Sequence, residues 1–495
     1  MKTSFKLASV SEVSCDAIGL PLFQGWKKPD SNFLEVDKKS NGFVQQILKE
    51  EGFKGKEGEV LVIHMRGEVG AKRVLVLGLG SNEKFTKDTV RRAAGTFARK
   101  AQALKLKKIA LPLIGQEKFG PGDSAHAIVE GALLGTYSFK KYKTENDENS
   151  FPEELVLVDR DKRKAVRAKD GLKFGEIFSK ATCLARNLAN EPASSLTPTD
   201  LATIARKIAQ DAGVTCSILT KKEIEKLGMG GLIGVSKGSV EEPRFIALSY
   251  KPKGKSAKKV ALIGKGITFD SGGLSLKPAD AMEKMKNDMS GAATVLGVFS
   301  AIKEIRPKYE VLGIIAATEN MPSGSALKPG DVLRIMNGKT VEVVNTDAEG
   351  RLILADALFY AVKEGADELI DIATLTKACS IALGPQITGV MSNNKALLKR
   401  VISAADRAGE KFWELPLEQE YRDTLRSDIA DMKNSGGREG GAVIAGLFLK
   451  EFVDEKPWVH LDIAGPSWVE KDEPTCSKGP SGVGVRTFLT YLSSK

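Results

Sequence analysis

Histidine is scarce in this 495-residue chain, which has only His64, His126 and His460. A histidine-rich zinc site cannot be assembled from three scattered residues, and any serine or cysteine triad would have to recruit one of them. No Gly-x-Ser-x-Gly occurs. The five cysteines (Cys15, Cys183, Cys216, Cys379, Cys476) are odd in number and lack Cys-x-x-Cys spacing, which argues against a disulfide or zinc-finger framework and for reduced thiols in a cytoplasm. No apolar run approaches the ~18–20 residues that span a bilayer, and the longest, around Val311–Ala317, has the length of a buried strand. Lys6, Ser9, Ser11 and Glu12 break up the apolar stretch that a secretion signal would need. The expectation is a cytoplasmic protein with no membrane segment. Two nucleotide-binding lookalikes fall short as well. GLGSNEKF (78–85) lacks the third glycine of the dinucleotide fingerprint, and GMGGLIGVSKGS (228–239) lacks P-loop spacing; both are expected to be tight turns.

Hydrophobic residues make up 42% of the chain, ample for real cores, and the length exceeds what one core usually supports. Charge is uneven within a net +11: residues 1–180 hold 33 Lys and Arg against 24 Asp and Glu, and the remainder 41 against 39. A basic first part can solubilise a surface or attract polyanions. There, Val60–His64, Val74–Leu79, Lys108–Leu113 and Leu155–Val158 read as strands and Thr86–Leu104 as a helix, with Lys140–Ser150 a solvated loop. Asp161–Ala185 reads as a charged helix joining two domains, and 189–198 as a turn-rich entry to the second. Beyond it, helices (Leu201–Asp211, Ala292–Ile305, Leu352–Glu364) alternate with strands (Val260–Ile267, Val311–Ala317, Leu369–Ala373). The expected organisation is α/β, with a smaller N-terminal mixed α/β domain over 1–165, a linker helix over 166–190, and a larger domain over 191–495 whose central sheet is flanked by helices. In such sheets ligands gather at strand ends.

Chemistry concentrates between Gly264 and Leu352. GKGITFDSGGLSLKP (264–278) runs from a strand end into a glycine-bearing loop carrying Lys265, Asp270 and Lys277. MEKMKNDMSGAATVLG (282–297) places Asp288 beside a helix start. In VVNTDAEGRLILADAL (343–358), Asp347, Glu349 and Arg351 occupy alternate positions after an apolar strand. If extended backbone continues through 347–351, these three side chains project to one side. Four carboxylates from three strand-end loops are costly to bury together unless cations compensate them, and with histidine nearly absent an oxygen-held divalent cluster is the natural compensation. Singly, each residue has a plainer explanation: Asp347 and Glu349 as acids at a helix N-terminus, Asp270 as a turn residue, Lys265 as a solvated lysine, Asp288 as an N-cap, Arg351 as a salt-bridge partner. His460, on an apolar strand, and Cys379, with no histidine near it in sequence, read as core residues.

Together the three segments resemble the leucyl aminopeptidase (cytosol aminopeptidase) family. NTDAEGRL (345–352) matches that family's signature in full, and the resemblance extends from RNLANEPASSLTP (186–198) through WVHLDIAG (458–465) to GVGVRTF (482–488). It implies two divalent metal ions, Mn or Zn, held by Lys265, Asp270, Asp288, Asp347 and Glu349, with Asp270 and Glu349 shared between them. It also implies catalytic roles for Lys277 and Arg351, the latter holding a bicarbonate, and a substrate pocket lined by Met285, Asn345 and Thr374. The implied activity is release of leucine and other residues from the free N-termini of peptides, in a homohexamer. Ser290, where a glycine is usual, and GPSGVGVR (479–486) depart from the family pattern without touching a ligand position. Two other functions remain open from the residues alone: an added nucleic-acid-binding role, permitted by the basic N-terminal part but carried by no motif, and a two-metal phosphoesterase.

Overall fold

The computed structural model describes residues 1–26, 29–144, 152–254, 256 and 258–493. Residues 145–150 of the expected loop therefore lie outside the described part. Contacts divide the chain into two units, one of Met1–Lys180 with Glu470–Lys478 and one of Ala181–Val469 with Gly479–Lys495. The expected joining helix spans Ala165–Asn190 and contributes to both.

Six strands build the N-terminal unit: β1 (Lys2–Leu7), β2 (Cys15–Leu22), β3 (Val60–His64), β4 (Ala71–Gly78), β5 (Lys108–Pro112) and β6 (Glu154–Asp159). They lie in the order β1-β6-β5-β2-β4-β3, all parallel except β3, which runs antiparallel to β4. Strand side chains alternate between two cores, as a pleat requires. Leu155 and Leu157 face the helices Lys87–Ala103 and Pro121–Gly135, while Val156 and Val158 face Phe33, Val36, Val44 and Leu48 of the helices Ser31–Lys39 and Phe43–Glu50. The predicted helix Thr86–Leu104 is thus present, with Thr86 capping Lys87–Ala103 by accepting from Thr89 N. No sequence signal singled out β1 or β2.

The larger unit is built on an eight-stranded mixed sheet. Its strands are β7 (Thr215–Leu219), β8 (Arg244–Tyr250), β9 (Lys259–Asp270), β10 (Glu310–Asn320), β13 (Glu368–Ala373), β14 (Ile387–Ser392), β15 (Lys411–Glu414) and β17 (Trp458–Asp462), in the order β15-β14-β17-β13-β9-β10-β8-β7. β11 (Val332–Arg334), β12 (Thr340–Glu342) and β16 (Met432–Lys433) form a small separate sheet. One face of the large sheet packs Ala261, Ile263 and Ile314 against the helices Gly350–Lys363 and Gly441–Lys450. Against the other lies the helix Ser290–Ile305, where Gly313 backs onto Phe299. The approach is closest at Gly291, where a Cβ would come within 2.1 Å of Ile372 O. Both domains thus have the expected α/β architecture, sheet with flanking helices. The glycine-rich stretch 228–239 is not a tight turn, since Gly230–Ser236 forms a short helix. No helix among the described residues is long and apolar enough to cross a membrane.

Candidate active site

β9 continues three residues past its expected end, so Lys265 and Asp270 both stand on the strand and only Lys277 lies in the loop beyond. An unbroken strand would send residues 265 and 270 to opposite faces. Pairing with β10 shows why it does not. Thr318 pairs with Ile267 and Glu319 with Phe269, leaving Thr268 as an extra residue. This bulge restores Lys265 and Asp270, paired with Ala316 and Asn320, to one side. Asn320 fixes the result, its Nδ2 donating to Asp270 Oδ1 at 2.8 Å.

Asp288 follows the short turn Met285–Asn287 and precedes the helix Ser290–Ile305. The third segment differs from its alternating-strand expectation. Asp347 lies in a turn, Glu349 already has helical angles (φ −77°, ψ −35°), and the helix Gly350–Lys363 begins at once. Asp347 and Glu349 still converge with Asp270, offering oxygens within 4.8 Å of one another. Arg351 parts from them. It forms no salt bridge among the described residues, and its buried Nη1 donates to Asn434 O at 2.8 Å. Gly350 makes room for the centre, because a Cβ there would lie 2.7 Å from Lys265 Nζ.

Two ammonium groups thread four carboxylates. Lys265 Nζ lies 2.8 Å from Asp288 Oδ2 and 2.8 Å from Glu349 Oε1, and donates to Thr374 O at 3.1 Å. Lys277 Nζ lies 2.8 Å from Asp270 Oδ2 and 2.5 Å from Asp347 Oδ1. Thr374 Oγ1 donates to Asp288 Oδ1 at 2.7 Å. Burial, reinforced by the neighbouring carboxylates, pushes Glu349 and Asp288 above the usual carboxylate range. Burial alone would lower Lys265 and Lys277, but the surrounding acids outweigh it and raise both. Burial pulls Arg351 down to about 10.

The carboxylates outnumber the ammonium groups by two. Glu349 Oε2 is buried with no hydrogen-bond partner, and Asp288 Oδ2 has only its ion pair with Lys265. An oxygen-rich, anionic set, buried except at Asp347 and with orphaned lone pairs, suits divalent cations. These residues line a cavity of about 390 Å³ together with Met285 and Thr374. Asn345 lines an adjoining cavity instead, with Arg351.

Several supporting residues escaped sequence reasoning. Asn434 accepts from Val344 N and Asn345 N and donates to Asn345 O and Ala348 O, holding the turn that carries Asp347. It follows a two-residue strand and no sequence pattern marks it. Asp462 accepts from Leu375 N, Thr376 N and Thr376 Oγ1, and Thr346 Oγ1 donates to Gly272 O. Asn320 and Asp462 each end an apolar strand, the one signal that could have found them. His460 is a core residue as expected, with Nδ1 2.6 Å from Asp371 Oδ1. Cys379 is a buried thiol pushed up to about 12, chiefly by burial.

Comparison with known proteins identifies the family. Residues 183–489 match the catalytic-domain model of the cytosol aminopeptidase family, and residues 20–146 match its N-terminal-domain model. A probable cytosol aminopeptidase of Alkaliphilus oremlandii (strain OhILAs) is 44% identical over 497 residues, covering 100% of this chain and 99% of that one. One from Solibacter usitatus (strain Ellin6076) is 44% identical over 489 residues, covering 99% and 98%. Among solved structures, a mutant tomato leucine aminopeptidase superposes with a TM-score of 0.91 at 35% identity, covering 99% of this chain and 96% of that one. The bottromycin maturation enzyme BotP in complex with Mn gives 0.85 at 34% identity, covering 97% and 99%. With both domains matched and relatives alike over nearly their whole length, the chain belongs to the cytosol aminopeptidase family and is a metal-dependent aminopeptidase.

Proposed function

We propose that the chain is a two-metal leucyl-type aminopeptidase that releases leucine and other residues from the free N-termini of peptides. The observation that carries this reading is the surplus of buried carboxylate in one cavity, with Glu349 Oε2 left without a hydrogen-bond partner and Asp288 Oδ2 met only by its ion pair with Lys265. Asp270 and Glu349 would be shared by both ions, Asp347 would complete one ligand set, and Lys265 with Asp288 the other. Bound Mn or Zn would supply Lewis acidity and an activated water near neutral pH.

The chain's own groups do the rest. Lys277, kept charged by Asp270 and Asp347, stands on the cavity wall as an ammonium donor for the oxyanion that develops on the scissile carbonyl. Lys265, kept protonated by Asp288 and Glu349 in the ion-free site, would have to give up that proton to serve as a ligand, since ligation needs a lone pair. Arg351 keeps a buried Nε without a partner, so its donor fork can hold a planar anion such as bicarbonate as a proton acceptor. Met285 and Thr374 border the space for the first residue, and Asn345 borders the space beyond it. A homohexamer follows from the family resemblance, and a cytosolic location from that resemblance and the names of the relatives; both are part of the same proposal.

Family membership favours this reading over a phosphoesterase, and no structural observation favours a nucleic-acid role. The test is hydrolysis of a leucine anilide by protein loaded with Mn or Zn, with the ions counted per chain. Two ions and a chelator-sensitive activity are expected, and Asp347→Asn should retain fewer ions. Full activity in protein stripped of both ions would defeat the proposal.

A further inference from the structure

The cavity that holds the acidic cluster has a neighbour of opposite sign. About 500 Å³ in volume, the second cavity shares Asp347, Leu375, Thr376 and Lys377 with the first. Three cations line it, Arg351, Lys377 and Arg438, against a single carboxylate, Asp347. That carboxylate is already engaged, at 2.5 Å, by Lys277. None of the three cations forms a salt bridge among the described residues. Among the described residues, Arg351 donates only to a backbone carbonyl and no hydrogen bond is made by the side chains of Lys377 or Arg438. Three like charges around one concave space repel each other, and an entering anion offsets that repulsion and gains charge-assisted hydrogen bonds.

The position of this cavity tells which part of a substrate reaches it. In an aminopeptidase the free amine and the scissile bond must lie at the carboxylate cluster. The side chain of the first residue has the other cavity, whose wall includes Pro278, Ala281 and Met285. The rest of the peptide must leave by another way, and the second cavity adjoins the cluster at Asp347 and Leu375–Lys377. We propose that this cavity is a subsite for a carboxylate on the residue that follows the cleaved bond, held by Lys377 and Arg438. That carboxylate has two chemical sources, the C-terminus of a dipeptide or the side chain of an aspartate or glutamate in second position. The inference rests on the aminopeptidase function. Arg351 stands at the boundary with the catalytic machinery, so Lys377 and Arg438 are the discriminating residues.

The experiment uses the Mn-loaded full chain and compares kcat/KM for Leu-Gly against Leu-Gly amide, and for Leu-Glu amide against Leu-Gln amide. The acid member of at least one pair should be preferred about five- to tenfold at low ionic strength, mainly through KM, and the preference should shrink as salt is added. Preference in the first pair alone identifies the C-terminal carboxylate as the source, and in the second alone the acidic side chain. In the double variant Lys377→Gln/Arg438→Gln both acid-to-amide ratios should fall toward one; because each ratio is taken within one protein, a general loss of activity does not obscure it. Ratios near one in the wild type, or ratios in the double variant equal to those of the wild type, overturn the subsite. A wild-type protein that fails to cleave a leucine anilide defeats the aminopeptidase reading instead, whereas cleavage of the anilide with no acid preference defeats only the subsite.

Discussion

Lys277 and Lys265 are chemically alike but lie in different surroundings, which is the ground for proposing different work for them. Lys277 Nζ bridges Asp270 and Asp347 at the cavity wall, one of them exposed, so it stays charged and reachable. Lys265 is buried between Asp288 and Glu349 under Gly350. Replacing Lys277 by Ala should lower kcat on a leucine anilide by about a hundred- to a thousandfold, the usual cost of one oxyanion donor, while the ion count per chain is retained. Steady-state kinetics beside metal analysis decide this, and an unchanged kcat removes the assigned role. Asn434 makes a different case, since it touches no carboxylate of the cluster yet binds Val344 N, Asn345 N, Asn345 O and Ala348 O while its own carbonyl holds Arg351. Asn434→Ala removes the side-chain amide from these part-buried backbone groups. A loss of about 1–3 kcal/mol in urea unfolding is expected, together with lower kcat because the turn that carries Asp347 loses its support, whereas the backbone carbonyl that accepts from Arg351 remains.

At the scale of elements, one extra residue decides the site. Thr268 bulges out opposite β10, and were it paired as in a regular strand Asp270 would face away from Lys265. The helix Gly350–Lys363 is as consequential, for its start carries Glu349 and its middle carries Asp356. Asp356 is fully buried and accepts from Leu232 N and Met336 N, tying that helix to the segments around it. Burial pushes its carboxyl up to about 7 despite those donors. A carboxyl whose pKa is higher folded than unfolded binds its proton more tightly in the folded state. Its contribution to stability is therefore present in full below the unfolded value near 4 and lost as pH rises through about 7. Asp356→Asn cannot ionise, so the variant should gain on the wild type between pH 5 and pH 8 in urea midpoints. An identical difference at both pH values would show that Asp356 does not titrate in that window.

For the molecule as a whole, the larger unit gathers β9, the loop after it, the entry to Ser290–Ile305 and the entry to Gly350–Lys363 around four carboxylates and two lysines. Such a gathering opposes folding through charge repulsion and desolvation until cations enter. Ions that bind only the folded chain stabilise it by mass action, by about 1.4 kcal/mol for each tenfold excess over the dissociation constant at each site. The melting temperature should therefore rise with the logarithm of Mn concentration and fall on chelation, and the rise should be blunted in Asp347→Asn. A melting temperature indifferent to Mn and chelator would contradict metal ligation by this cluster.

The amino-acid sequence alone settled the composition of the centre and the character of both domains. Apolar runs at strand and helix periods showed where β9, β10, β13 and the long helices lie, and the clustering of Asp270, Asp288, Asp347 and Glu349 at their ends, with only three histidines in the chain, marked a candidate oxygen-donor site. What brings those groups together was not legible. The alternation of 347, 349 and 351 suggested one extended row, but the backbone turns into a helix, which keeps the two acids together and sends Arg351 toward Asn434. The bulge at Thr268 has no compositional mark, and Asn434 and Asp462 are far in sequence from the turns they hold. Periodicity is a property of neighbours along the chain, whereas the direction in which a side chain finally points depends on strand register and on packing with distant segments. Only the folded chain decides these.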